Sequence, residues 1–268
     1  MSDELVPDDL WERVAPLLPP RAPRRHRYPG RLPADDRAAL RGIVYVLRKS
    51  VSWRDVPAER TGCSGVTAWR RLRDWTEAGV WPRLHEVLLA ELRAEGLLEM
   101  DDAAIDGSHV RALKGDHTGP SPVDRARPGS KHHLIVDRNG TPLAVTLTGG
   151  NRHDVTQLLP LLDAIPPVRG LRGRPRRRPR RLFADRGYDY DKYRRILRRR
   201  RITPNFARRG VAHGSGLGKT RWVVERTFAW LHQFKRLRIR YEIRADLHLG
   251  LLQLACSIIC LRRLRTSF

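Results

Sequence analysis

Apolar and polar positions in the first hundred residues alternate with the period of helices. One predicted helix begins near Pro7, with acids in its first turn, and ends before Pro19. A second covers residues 34–49, and a third covers residues 66–78 with Ser64 as its N-cap. The pattern therefore predicts an all-helical region over residues 1–98.

The pattern changes near Glu99, where short apolar runs replace the helical period. Strands are predicted at 103–105, 132–136, 143–147, 182–184 and 202–206, and helices at 154–164, 190–200, 220–234 and 246–264. Asn139-Gly140 predicts a type I′ turn between two of the strands, and residues 211–218 predict a glycine-rich loop. This order predicts an α/β domain over residues 99–268, with a mixed sheet layered between helices.

Charge narrows the choice of partner. The 268 residues carry 53 Lys and Arg against 29 Asp and Glu, a formal net charge of +24, while 40% hydrophobic residues allow a packed core. Such an excess indicates a polyanion, either nucleic acid or an anionic membrane. No apolar run approaches the roughly 18 residues of a membrane span, and the acidic N-terminus does not resemble a signal peptide. We therefore expect a cytoplasmic protein that binds nucleic acid.

Two segments concentrate this charge. The helix at 66–78 bears Arg70, Arg71 and Arg73 and follows a short glycine-bearing segment, an arrangement that resembles a helix-turn-helix. A helical bundle with a solvated basic face fits that segment equally well, and the charge of the whole chain favours DNA. The basic loop at 170–181 carries seven arginines and is expected to be exposed. It is either a phosphate-binding arm or a solvated linker.

Three carboxylates stand where a metal-dependent nuclease needs them. Asp106 and Asp185 each follow a short apolar run, so each is predicted to end a strand. Glu225 lies in an amphipathic helix four residues after Arg221, which is also the spacing of a surface ion pair. Phosphodiester cleavage is served by two divalent ions roughly 3.5–4 Å apart, and Mg²⁺ prefers carboxylate oxygens. One such acid is weak evidence, whereas three in a very basic chain are more specific.

Six stretches that span most of the chain resemble a known family, the DDE transposases of bacterial insertion sequences in the IS-four and IS-five superfamily. They are Trp53–Pro57, Ile105–Val110, Gly129–Leu134, Asn151–Val155, Ala184–Asp189 and Arg221–Tyr241. The resemblance implies a ribonuclease-H-like catalytic core behind a helical DNA-binding region. It also implies that Asp106, Asp185 and Glu225 are the catalytic, metal-binding triad.

The third motif of that family ordinarily runs Tyr, Arg, Glu, Lys. Arg221 and Glu225 stand at the expected places here, whereas Gly218 takes the Tyr position and His232 the Lys position. The expected DNA contacts of this region are Arg221, His232, Lys235 and Arg236. His109, His153 and Tyr188 lie near the triad segments and are candidates to orient a ligand or a water, although a structural role fits each of them as well.

The resemblance implies a transposase that uses Mg²⁺ or Mn²⁺, with two ions at the site. Its partners would be double-stranded DNA, both transposon ends and target, and a second copy of itself, because both ends must be held together. No membrane partner is expected, and the protein would be associated with the nucleoid. Two alternatives stay open at this point: a transposase remnant that binds DNA without cutting it, and a ribonuclease-H-like nuclease specific for branched or hybrid structures.

Overall fold

A computed structural model describes residues 4–21, 26–27, 32–210 and 218–266, with side chains from residue 221 onward in the last range. The chain begins with five helices: α1 (Asp8–Val14), α2 (Asp36–Lys49), α3 (Ala58–Thr61), α4 (Gly65–Glu77) and α5 (Val80–Ala94). Side-chain caps define two of the starts. Asp35 accepts a hydrogen bond from the Ala38 amide (2.8 Å) and Ser64 accepts one from the Thr67 amide (3.3 Å). The helical prediction for this region is confirmed.

The sheet and its flanking helices follow. The strands are β1 (Asp102–Ala112), β2 (Gly119–Pro120), β3 (Pro128–Asp137), β4 (Pro142–Gly149), β5 (Arg181–Ala184), β6 (Thr203–Phe206) and β7 (Ile239–Arg240). The helices are α6 (Leu158–Asp163), α7 (Asp191–Arg199), α8 (Gly218–His232) and α9 (Ala245–Arg265). Each predicted strand and helix of this half is present. The predicted loop at 211–218 lies outside the described residues except for Gly218, which begins α8.

The strand order defines the fold. The central part of the sheet runs β4-β3-β1-β5-β6, with β3 antiparallel to both β1 and β4, and with β1, β5 and β6 parallel. Two antiparallel hairpin strands on one side of β1 and two parallel strands on the other give the ribonuclease-H-like arrangement. The predicted fold is therefore confirmed, including the helical region that precedes the sheet.

Strand β1 is longer than predicted, and this changes the place of Asp106. The strand pairs with β3 from Ala103 to Arg111, so Asp106 lies inside the strand and does not end it. On its other edge β1 pairs with β5 only at 102–104 and with β7 only at 111–112. Among the described residues, the 105–110 stretch of that edge has no strand partner. The sheet is thus open on one side of β1 at Asp106.

The turn between β3 and β4 differs from the predicted type I′ turn. Of its two central residues only Gly140 has a positive φ (83°), and a type I′ turn needs both. The Asp137 carboxylate accepts hydrogen bonds from the Asn139 amide (2.9 Å) and the Thr141 amide (2.6 Å). The Gly140 amide also donates to the Asp137 carbonyl oxygen (3.0 Å) and the Asp137 amide to the Thr141 carbonyl oxygen (2.9 Å), which gives a three-residue loop with glycine at the position of positive φ.

One hydrophobic core runs from the N-terminal helices into the sheet, and α9 is its centre. Helix α9 contacts α5, α4 and strand β4, and it buries Cys256 and Cys260 as small apolar side chains, as predicted. Contrary to the sequence expectation, this one helix of the described chain is long and apolar enough to cross a membrane. However, 78% of its most apolar window is buried inside the protein. Its burial is that of a core helix.

Candidate active site

Asp106, inside β1, lies opposite Asp185, which directly follows the parallel neighbouring strand β5. The register aligns Ala104 with Phe183, and continuing it by two residues places Asp106 opposite Asp185. Neighbouring strands lie about 4.8 Å apart, so the two backbones approach closely at this point. Asp185 directly follows the last residue of β5, where that strand leaves the sheet and the edge of β1 becomes open. The sequence prediction that these acids share one edge of the sheet agrees with this register.

Neither carboxylate is fully compensated. The pKa of Asp106 is raised to about 6, chiefly by burial and in smaller part by the charges of Asp185 and Asp154, which together outweigh the hydrogen bond from the Gly107 amide and the charge of Arg221. The Gly107 amide donates to Asp106 at 2.8 Å. Atom Oδ1 of Asp185 is buried and has no hydrogen-bond partner among the described residues. Two acids held this way would both gain from a cation.

Tyr188 is buried within range of the charges of this pair. Its ring is buried, and its hydroxyl has no hydrogen-bond partner in the described part of the chain. Burial raises the pKa of Tyr188 well above its usual value, and the charges of Asp106, Asp154 and Asp185 add to that effect. The hydroxyl is therefore neutral, and the charges of three acids act on it.

The other face of β1 carries a polar group that sequence reasoning did not select. Successive strand residues point to opposite faces, so Gly107 and its partner His133 lie opposite Asp106. Asp154 contacts this face: its Oδ1 lies 3.0 Å from Lys131 Nζ and 3.7 Å from His133 Nδ1. A Cβ at residue 107 would lie 2.8 Å from the same oxygen, so glycine leaves room for Asp154. The signal for these residues was present in two of the six family-like stretches.

Glu225 stands apart from the other two acids of the predicted triad. Helix α8 packs against β1, β3 and β5, but the Glu225 side chain is 60% exposed and pairs with Arg221 at 3.3 Å. Among the described residues, no three Asp, Glu, His or Cys side chains lie close enough together to hold a metal ion. The structure thus brings two of the predicted ligands together and leaves the third in an ion pair at the rim.

The predicted supporting histidines occupy other surroundings. His109 lies on the Gly107 face of β1, not the Asp106 face, and its Nε2 is buried beside Gly129 and Gly150. Burial lowers the pKa of His109. His153 is exposed, and its ring meets the edge of Tyr190 with 6.0 Å between centroids. Neither histidine has a described hydrogen bond to Asp106 or Asp185.

The expected DNA contacts near α8 divide into surface and interior residues. Lys235 is exposed, and His232 is half-buried with a pKa lowered by burial and by the charge of Arg238. Arg236 is a correction. It is buried, it donates to Glu242 Oε1 at 2.6 and 2.9 Å, and it also donates to the Val51 carbonyl oxygen at 3.1 Å. A guanidinium satisfied in the interior is not available to DNA.

The arginines of α4 also differ from one another. Arg70 is exposed on the face opposite the buried Leu72 and Trp75. Arg71 is partly buried and pairs with Asp36 of α2 at 3.0 Å, and Arg73 pairs with its neighbour Asp74 at 2.7 Å. Arg70 is therefore the most available cation of this helix.

Comparison with known proteins agrees with this geometry. A family model described as "Transposase DDE domain" matches residues 98–260, and one described as "Putative transposase of IS4/5 family" matches residues 6–85. The chain is 66% identical over 150 residues to the putative transposase for insertion sequence element IS402 of Burkholderia cepacia, covering 56% of this chain and 71% of that protein. It is 27% identical over 136 residues to the transposase for insertion sequence element IS1106 of Neisseria meningitidis serogroup B, covering 45% of this chain and 43% of that protein.

Solved structures show a weaker likeness. The Mos1 strand transfer complex and the Mos1 mariner paired end complex with Mn each align over 91% of this chain, and over 81% and 82% of theirs. Sequence identity is 11% and 10%, and the TM-score is 0.31 for both. The fold assignment therefore rests on the strand order described above.

Two observations define the class of the protein. The sheet is ribonuclease-H-like with two acids at its open edge, and the DDE domain model matches residues 98–260, which include the whole sheet. The chain belongs to the DDE transposases of insertion sequences. Membership of this family implies that a divalent metal ion is used.

Proposed function

We propose that this protein is an active transposase. It binds the ends of its own element, cuts a strand to leave a 3′-hydroxyl, and joins that hydroxyl to target DNA. The observation that carries the proposal is the pairing of Asp106 with Asp185 at the open edge of β1. A buried carboxylate with a raised pKa beside a second one without a partner is costly to the fold, and a cation site accounts for that cost.

The proposed metal ligands are Asp106, Asp185 and Glu225, and the proposed cations are two Mg²⁺ or Mn²⁺ ions. The buried, unpartnered Oδ1 of Asp185 and the raised pKa of Asp106 fit such ions, because a cation stabilises both ionised forms. Two bound divalent ions would stabilise the charge of the attacking and leaving oxygens of the phosphodiester. Tyr188, with its neutral hydroxyl, is proposed to orient a ligand or a water on the Asp185 side of the site.

Glu225 completes this site only when it leaves Arg221. The Arg221 charge acts on Asp106 as well, so Arg221 and a cation compete for the same carboxylates. A DNA phosphate would give Arg221 another anionic partner. We infer that substrate binding frees Glu225, and that the third ligand joins the site together with DNA.

Recognition of the transposon ends is assigned to the helical region. Arg70 on the exposed face of α4 is the proposed central contact, with Arg71 and Arg73 as flanking cations, and Lys235, His232 and Arg221 would contact DNA nearer the site. Because both ends of the element must be held at once, the active form is proposed to be a dimer or larger assembly on DNA.

The test is metal-dependent nicking of a duplex that contains one transposon end. Wild type is expected to nick it with Mg²⁺ or Mn²⁺, and Asp185→Asn is expected to be slower by roughly 10³-fold, because loss of a ligand removes several kcal/mol of transition-state stabilisation. Asp163→Asn is the matched control, since that acid is exposed and pairs with Arg200. Equal nicking by wild type and Asp185→Asn would refute the proposal.

A second candidate function is DNA binding without cleavage. One observation favours it: among the described residues no three potential ligands are assembled, and Glu225 is engaged by Arg221. Tight binding of the end duplex with no nicking under Mg²⁺ or Mn²⁺, by wild type and by Arg221→Gln alike, would decide for this alternative.

A further inference from the structure

A strongly basic cavity lies at the end of the sheet away from the acids. It has a volume of about 550 Å³, and the described arginines that line it are Arg93, Arg201 and the five between residues 174 and 180. Two prolines complete the lining of that segment. We name this surface the arginine edge and define it by Arg174, Arg177, Arg178 and Arg201, which are exposed.

The arginine edge is built on an anchored loop. Val168 and Arg176 exchange backbone hydrogen bonds of 2.9 Å in both directions, and Arg93 Nη1 donates to the Val168 carbonyl oxygen at 2.5 Å. Gly170 has φ +101°, and a Cβ there would collide with the Ala90 carbonyl oxygen of α5. The exposed loop expected from the sequence is therefore a folded platform fixed to the N-terminal helices, so less ordering cost accompanies binding.

The arginines at this end of the sheet differ in whether they have an acidic partner. Arg176, Arg180 and Arg181 pair with Asp101 or Asp102 and so attach the loop to the start of β1. The four residues of the arginine edge form no ion pair with any described acid. The acid nearest to them in the adjoining cavity, Asp163, is already paired with Arg200 at 2.5 Å. Four clustered cations without internal anions repel one another, and an external polyanion relieves that repulsion.

The position of the arginine edge separates it from the proposed cleavage site. The loop leads into the first residue of β5, whereas Asp185 follows the last one, about 13 Å further along for a strand of this length. Arg201 stands just before β6, which begins at the same end because Thr203 pairs with Arg181. The two sites thus open toward opposite ends of the sheet.

We propose that the arginine edge binds the phosphate backbone of a stretch of double-stranded DNA other than the one held at the acids. This inference rests on the proposed function only in taking DNA as the partner. The guanidinium fork matches phosphate oxygens in pairs. No described residue of the lining is aromatic, so this part of the surface does not offer the stacking platform that single strands use. Binding here is by charge and is independent of base sequence.

The experiment measures how binding of a duplex without transposon ends depends on salt, in the presence of a chelator. The test variant removes three cations of the edge: Arg174→Gln, Arg177→Gln and Arg178→Gln. The control variant removes three exposed cations that are scattered elsewhere: Lys49→Gln, Lys114→Gln and Arg195→Gln. Both variants lower the net charge by the same amount, and both are checked for an unchanged unfolding temperature.

The test variant is expected to reduce the slope of log K against log salt by about 2–3, because each phosphate that a cation neutralises contributes about 0.9 to that slope. The control is expected to change that slope by less than about 1. Replacing the same three residues by Lys is expected to restore most of the slope. Equal slopes for test and control, or a weakening confined to single-stranded DNA, would overturn the inference.

Failure of this inference is distinguishable from failure of the proposed function. If wild type binds no duplex at all, the proposed function fails. If wild type binds and the test variant binds with the same slope, only the arginine edge is wrong. Nicking of an end duplex at saturating concentration is expected to be unchanged in the test variant, because the arginine edge lies away from Asp106 and Asp185.

Discussion

Two clusters of buried charge in this protein are treated in opposite ways. At the open edge of β1, burial raises the pKa of Asp106 to about 6, and Asp185 has a buried oxygen without a described partner. Around β7 and α9, Glu242 receives two hydrogen bonds from Arg236 and lies 3.4 Å from the Nδ1 atom of His248. Burial would raise the pKa of Glu242, but His248 and Arg236 hold it below its usual value.

The difference separates charged groups whose interactions stabilise the folded state from charged groups whose burial destabilises it. The carboxylate of the Glu242 cluster is compensated, and in this sense the cluster is closed: Arg236 pairs with Glu242 and also donates to the Val51 carbonyl oxygen, and His248 lies between Glu242 and His132, with 2.8 Å between the two Nε2 atoms. The one buried atom of this group without a described partner is Nδ1 of His132, which carries no formal charge when the ring is neutral. It joins β3, α9 and the segment after α2. The Asp106 pair is open, and its missing partner is the reason to expect a cation there. Burial alone would not have distinguished the two clusters.

Breaking the closed cluster is expected to have the largest effect on stability. Glu242→Gln leaves the buried Arg236 guanidinium without a counter-charge, which costs about 3–5 kcal/mol of unfolding free energy. Urea unfolding at neutral pH measures it. A loss below about 1 kcal/mol would mean that the cluster is not a structural ion pair, and the comparison would fail.

Replacing one acid of the open pair by a neutral residue is expected to raise the unfolding free energy, whereas Glu242→Gln lowers it. The folded protein holds the Asp106 proton up to about pH 6, whereas the unfolded chain releases it near 3.8. Stability is therefore lost as pH rises from about 4 through 6. In chelator, Asp106→Asn is expected to match wild type at pH 4 and to exceed it at pH 8 by at most about 3 kcal/mol. Equal stability at pH 8 would remove the evidence for an uncompensated acid.

A divalent metal ion is expected to bind the Asp106 and Asp185 carboxylates and so to stabilise the folded protein. At a concentration of Mg²⁺ or Mn²⁺ ten times its dissociation constant, wild type is expected to gain about 1.4 kcal/mol of unfolding free energy. Asp185→Asn is expected to gain less than a third of that, whereas Glu242→Gln keeps the full increment because its lesion lies elsewhere. Differential scanning calorimetry with and without metal gives both values. A gain that survives in Asp185→Asn would place the cation at another site.

The smallest effect is expected from an ion pair at the surface. Asp246 pairs with Arg244 at 2.6 Å, but both side chains are nearly half exposed. Asp246→Asn is expected to cost about 0.5 kcal/mol, and that cost should shrink further in 1 M salt because exposed pairs are screened. A cost as large as that of Glu242→Gln would show that burial does not set the difference between the two pairs.

The sequence predicted those parts of the site that depend on local pattern. An apolar run followed by an acid marked both Asp106 and Asp185, and the alternation of strands and helices implied that β1 and β5 could be neighbours. It did not predict the length of β1, because Gly107, Ser108 and His109 are polar or small on a half-buried stretch. Asp154 was missed because it begins a short 3₁₀ helix and contacts Lys131 and His133 on the Gly107 face of β1, a contact that only the fold shows.

The partners of individual charged side chains were the other part that the sequence did not predict. In the sequence Arg236 resembles its neighbouring surface cations, and only the fold shows that it turns inward to Glu242 and to the carbonyl oxygen of Val51, far away in the chain. The sequence also did not predict whether Glu225 pairs with Arg221. An arginine four residues before a glutamate is compatible with an ion pair and equally with two side chains that act separately. Periodicity specifies which face a residue occupies, not which partner it finds there.

The shared core of α4, α5 and α9 has a consequence for where such an enzyme would cut. A recognition helix on a flexible tether could sample many offsets from the cleavage centre. Here α4, the proposed recognition helix, shares one hydrophobic core with strand β1, so DNA bound at α4 would lie at a fixed distance from the acids. The number of base pairs between the sequence it reads and the bond it breaks would then be a property of the fold.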